Sequence, residues 1–150
     1  MEMKTARKPL DMSEEFINTI KKWQTLEDET IRSSTELMEK SGNPIVRMIM
    51  QMIKLDSEKH KIMQQVLIDG LTRQSLSLSP DELAPLAEEL GRHIEAEGKS
   101  VDLASKALEE SELFVTRYIL TLLLADEAKH HRLLGDLNEV MLKRATIFVT

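Results

Sequence analysis

Apolar residues recur along most of this chain at intervals of three and four. At 100° per residue, Phe16, Ile20, Trp23, Ile31 and Met38 fall on one stripe, with Ser34 among them. Val46, Ile49, Ile53, Met63 and Leu67 make a second stripe, and Leu86, Leu90, Ile94, Val101, Ala104 and Leu108 a third. A fourth runs through Val115, Ile119, Leu123, Leu133 and Leu134. Three polar stretches separate them: KSGNP (residues 40–44), DGLTRQSLSLSP (69–80) and the weaker EESE (109–112). The pattern predicts helices over roughly 12–41, 43–70, 80–110 and 111–144, each rich in Leu, Met, Glu, Lys and Ala. Ser79-Pro80-Asp81-Glu82 supplies an N-cap, a proline in the first turn and the glutamate of a capping box; Pro85 should bend that helix near its start. No period-two strand is expected, so the fold class is all-α.

Two short turns and one long connection imply two antiparallel helical hairpins joined by a crossover, an antiparallel four-helix bundle in one domain with its core over about 13–145. The second hairpin also repeats the first. With an ungapped shift of 70 residues, Glu27 falls on Glu97, Glu39 on Glu109, Ser41 on Ser111 and Arg47 on Arg117. Ile49 then meets Ile119, Asp56 meets Asp126, Lys59 meets Lys129 and His60 meets His130. Those eight identities within positions 27–60 compare with about two expected for unrelated sequences of ordinary composition. The chain reads as a duplicated hairpin.

Composition narrows the function. A length of 150 residues allows one domain with a real core. A net charge of −6 offers no basic surplus for nucleic acid; the basic start, Lys4, Arg7 and Lys8, reads as a frayed tail. No stretch approaches the ~20 apolar residues of a membrane span. The absence of cysteine removes disulfides, thiolate nucleophiles and cysteine-ligated metals, and a cytoplasmic protein is expected.

Each stripe carries ionisable residues at one level. Glu27 lies within the first and Glu97 within the third; Asp56 and His60 share the second, and His130 the fourth, flanked by Asp126 and Glu127. Burying such charges costs several kcal/mol per ion unless something neutralises them. No Lys or Arg shares these stripes at that level, so a metal cation is the natural counterion. Carboxylate oxygens with imidazole nitrogens suit iron, manganese or zinc.

A glutamate on one helix, a Glu-x-x-His pair on the next, and the same arrangement again resembles the ferritin-like superfamily, in particular rubrerythrin- and bacterioferritin-type di-iron bundles. The likeness covers about residues 13–144. It implies that Glu97, Glu127 and His130 form one half of a metal site, and Glu27 and His60 the other. The family's sixth ligand, a bridging glutamate, is Ser57 here. Asp56, one turn before His60, could substitute as a ligand or could hydrogen-bond the histidine from behind, as expected of Asp126. Restoring the glutamate by Ser57→Glu should raise capacity toward two metals. His93 is a further candidate, although a lone inward histidine is more often simply hydrogen-bonded. His131 should face solvent.

By this resemblance the chain binds iron, as a di-iron or single-iron centre, and oxidises it with oxygen or peroxide. Without a cysteine-ligated iron centre of its own, it would take electrons from another protein. The competing reading is a metal-free, degenerate ferritin-like bundle that binds a partner. The methionine run RMIMQMIK is read as adaptable core, and Tyr118 as an interface residue. The apolar TIFVT (residues 146–150) should pack on a partner subunit or cover a bundle end, with a homodimer expected.

Overall fold

The structure is a computed structural model of the chain and describes residues 9–73, 76–143 and 147–149, with side chains for 14–73 and 77–142. The basic start, Lys4, Arg7 and Lys8, lies outside the described residues, as do Thr146 and Thr150 of the terminal segment. The fold is helical. Helix α1 spans Pro9–Lys40 and α2 Pro44–Thr72; strand β1 covers Leu76–Leu78, α3 Pro80–Leu83, and a 3₁₀ turn Ala84–Leu86. Helices α4 (Ala87–Glu110) and α5 (Phe114–Lys143) follow, then strand β2 (Ile147–Val149). Two compact units divide the chain near Leu76 and Ser77, each built on one hairpin.

In the first unit, Asn43 sits in extended conformation before Pro44, and its Oδ1 accepts from the backbone N–H groups of Ile45 (2.9 Å) and Val46 (3.3 Å). That cap satisfies donors that a helix start leaves unpaired. Arg47 then reaches back across the turn, its Nη1 donating to the carbonyls of Met38 and Ser41 at the end of α1. Farther along, Asp28 meets Lys61 and Gln24 meets Gln65. Ascending positions of α1 thus meet descending positions of α2, and the two helices run in opposite directions. Ile20 and Ile68 are buried, together with four polar residues: Glu27, Ser34, Ser57 and Gln64.

The second unit repeats these devices 70 residues on. Its helices end at Glu110 and begin at Phe114, as the first pair end at Lys40 and begin at Pro44. Arg117 Nη1 donates to the carbonyls of Leu108 (2.6 Å) and Ser111 (2.8 Å), the counterparts of Met38 and Ser41. The arginine identity in the sequence repeat therefore has a structural role: in both hairpins it binds carbonyls at and just past the end of the preceding helix. The capping box forms as expected, with the Ser79 N–H donating to Glu82 Oε2 (2.7 Å) and the Glu82 N–H to Ser79 Oγ (3.4 Å). Pro85 lies in the 3₁₀ turn that separates α3 from α4. Among the described residues, Leu83 and Val140 are the buried apolar residues of this unit.

Three expectations need correction. The helix after the EESE stretch starts at Phe114, not at residue 111, because Ser111, Glu112 and Leu113 form the turn that Arg117 clamps. Two three-residue strands exist, β1 and β2, paired in a two-stranded sheet. Ser75-Leu76-Ser77-Leu78-Ser79 does alternate, but so briefly and within so polar a connection that it reads as loop. The buried row of α2 is also displaced by one position over its second half, running through Ser57, Gln64 and Ile68; Met63 and Leu67 are exposed. The buried row holds the polar Ser57 and Gln64 beside Ile68, so hydropathy points to the other row, which carries Met63 and Leu67. Among the described residues, no helix is long and apolar enough to cross a membrane.

Arg47→Ala and Arg117→Ala should each lower unfolding stability by about 1–2 kcal/mol, the scale of charge-assisted hydrogen bonds in exposed positions. Urea denaturation monitored by circular dichroism checks this. Unchanged midpoints in both variants would contradict the role assigned to the clamp.

Candidate metal centre

Each hairpin places a glutamate of its first helix against a histidine of its second, one methylene-rich side chain facing an imidazole across the helix interface. The two pairs are repeat counterparts, and their surroundings differ. In the second unit, Glu97 on α4 lies 3.8 Å from His130 on α5, measured from Oε1 to Nδ1, beyond hydrogen-bond reach. Glu127 stands three residues before His130, so both project from one side of α5. One ligand atom from each of Glu97, Glu127 and His130 falls within 4.8 Å of the others. A cation at the centre of such a triangle would lie within about 3 Å of each atom, against 2.0–2.2 Å for formed bonds to nitrogen or carboxylate oxygen. Small side-chain movements span the difference.

The second carboxylate oxygen of Glu97 decides how this group is read. Glu97 Oε2 is buried and has no hydrogen-bond partner among the described residues. An acceptor in that state costs about 1–3 kcal/mol, more when charged. The donor set of two carboxylates and one imidazole matches what iron, manganese or zinc accept. These three residues fit a cation.

The first unit presents the opposite arrangement. Glu27 is buried on α1, and its Oε1 lies 3.2 Å from His60 Nδ1. Gln64, one turn beyond His60, donates from Nε2 to the same oxygen at 3.3 Å. Ser57 is buried at the position that Glu127 holds in the second unit. The Glu27 carboxylate is therefore met by two hydrogen-bonding groups of the chain itself. Among the described residues, Glu27 and His60 belong to no group of three ligands.

Asp56 was expected to face inward and does not. Its side chain is exposed and pairs with Lys59 at 2.8 Å, because the shift of the α2 core row to Ser57 turns residue 56 outward. His93 is also exposed, away from the inner stripe that would have made it a substitute ligand. Asp126 is exposed, and so is His131, although its ring lies near Gly98, where an added Cβ would make an ordinary 3.6 Å contact with Nε2. Sequence reasoning missed Gln64. The repeat carried the signal: at the 70-residue offset Gln64 matches Leu134, so a polar residue stands one turn past His60 where the other half has leucine.

No family model matches the chain, and neither a curated protein nor a solved structure matches it. The chemistry of the centre rests on its geometry and on the internal repeat.

In metal-free protein, replacing the two glutamates should have opposite effects. Glu97→Leu removes an unsatisfied buried oxygen and should raise stability by about 1–2 kcal/mol. Glu27→Leu strands the buried Gln64 amide and should lower it by about 1–3 kcal/mol. Chemical denaturation in the presence of chelator reads both; equal effects would mean that the carboxylates are equally satisfied.

Proposed function

We propose that this chain is a ferritin-like metal-binding protein in which Glu97, Glu127 and His130 hold one transition-metal cation. The observation that carries the reading is the grouping of one ligand atom from each of Glu97, Glu127 and His130, with Glu97 Oε2 buried and unpartnered among the described residues. Iron is the metal implied by the resemblance, with manganese and zinc suited to the same donors. A bound iron would supply electron exchange with oxygen or peroxide. Glu97 and Glu127 would contribute charge neutralisation and His130 a neutral nitrogen donor. With no cysteine in the chain, the electrons would come from a separate protein.

In this reading the two hairpins close into an antiparallel four-helix bundle, with a crossover near residues 70–79. Support comes from the apolar side chains that each hairpin leaves uncovered: Trp23, Leu26 and Met63 in the first, Leu103, Leu123 and Leu133 in the second. Patches of this kind mark surfaces that are covered in the working protein. A homodimer and a cytoplasmic setting belong to the same proposal. The second reading, a metal-free bundle that binds a partner, is favoured by the first hairpin alone, where His60 and Gln64 satisfy Glu27 without any ion.

Protein purified without a polyhistidine tag and loaded anaerobically with Fe(II) should retain one metal per chain by atomic emission. At a free metal concentration 100 times Kd, the gain in stability should be about 2.7 kcal/mol, reversed by chelator. Glu127→Ala should weaken binding by more than the roughly 10–100-fold that loss of a group behind the ligands costs. Wild-type protein that retains no metal would end this reading. Light scattering at micromolar concentration should give a dimer mass, and a monomer would refute that part of the proposal.

A further inference from the structure

We infer that Gln64 closes the first hairpin to metal, so that its side-chain amide, together with Ser57, limits the chain to one cation. The inference builds on the assignment of Glu97, Glu127 and His130 as the centre, and its test separates the two. Ser57, His60 and Gln64 occupy successive turns of α2; their counterparts 70 residues later are Glu127, His130 and Leu134. The two hairpins therefore differ at two of the three positions that face the helix-borne glutamate.

Gln64 is 3% exposed, and its Nε2 donates to Glu27 Oε1 at 3.3 Å. His60 Nδ1 lies 3.2 Å from that same oxygen. An amide nitrogen bears only hydrogens and no usable lone pair, so it directs the positive end of its dipole at the carboxylate. A cation approaching Glu27 Oε1 would confront those hydrogens at contact distance. The amide is held in this orientation at a cost, because its own Oε1 is buried without a partner. In the second hairpin Leu134 offers no donor, His130 stands off at 3.8 Å, and Glu97 Oε2 is left unpartnered. The collapsed pair has the Gln64 amide against its glutamate, and the open pair has Leu134 in that place.

Contrary to the expectation from the sequence, Ser57→Glu alone should then fail to create a second site. The amide has two N–H groups, and a new carboxylate at 57 would take the one that Glu27 leaves, giving a bridged, cation-free cluster. Removal of the amide is required as well. Ser57→Glu combined with Gln64→Leu would give the first hairpin the set found in the second: Glu27, a glutamate at 57, His60 and an apolar neighbour.

Co(II) is a suitable probe, counted by atomic emission after desalting and followed by its visible d–d absorption. Ser57→Glu should bind the same number of Co(II) ions as wild type, and the double variant one more. Leu134→Gln, the reciprocal change, should weaken binding at Glu97, Glu127 and His130 by at least about tenfold. The inference is overturned if wild type already binds two ions, if Ser57→Glu alone gains a full ion, or if the double variant, folded by circular dichroism, gains none. Should the double variant not fold, unchanged affinity in Leu134→Gln would overturn the inference, and the tenfold loss would uphold it. If wild type binds no Co(II) but the double variant gains one and Ser57→Glu none, the Glu97 centre fails and the role of Gln64 stands.

Discussion

Taking a carboxylate out of water costs several kcal/mol unless donors or a cation meet it, and both hairpins of this chain are arranged around that cost. Glu27 and Glu97 enter the interface between two helices at repeat-equivalent positions, each opposite a histidine, with Glu27 the more deeply buried. The first is satisfied from within the chain. The second keeps an oxygen with no hydrogen-bond partner among the described residues. Turn positions and the arginine clamps repeat between the halves, while the side chains around the glutamate and histidine differ. Glu127 against Ser57, and Leu134 against Gln64, convert one arrangement into the other.

A large part of the fold was legible because its signals are local and redundant. Each long helix has an apolar stripe, and its ends are marked by Pro, Gly, Asn or a capping box. The 70-residue repeat then supplied the pairing of helices into hairpins, since identities at Glu27, Arg47 and His60 recur as a set. The small sheet was not legible. Three residues of alternation within a polar connection carry too little information, and a pairing partner some 70 residues away leaves no local trace.

At the candidate centre, the residues read from the repeat were found together where the repeat is complete, at Glu97, Glu127 and His130. Asp56 and His93 were misplaced for a physical reason. A helical stripe read from hydropathy has a width of about 100°, and one residue of rotation moves a side chain across its edge. On α2 the apolar residues Met63, Leu67 and Ile68 span that edge, leaving the rotation to be fixed by polar contacts. The Gln64 amide and the Glu27 carboxylate fix it, and Asp56 turns out toward Lys59. Polar pairing, rather than apolar burial, sets the register of this hairpin.

The arginine clamps bear on how the chain reaches its structure. Arg47 ties the start of α2 to the end of α1 across nine residues or fewer, and Arg117 does the same for α5 and α4. Each hairpin is closed by contacts between residues near in sequence, the condition under which chains fold fastest. The Glu27 and His60 pair, 33 residues apart, follows once the turn has set the register. During synthesis, domains tend to fold as units from the N-terminus, and all partners of Glu27 have left the ribosome before the second hairpin is complete. The first hairpin can bury its charge without waiting for an ion or for the rest of the polypeptide. The second, whose glutamate has no such internal partner, reaches its final state later and in contact with whatever cations the surrounding solution contains.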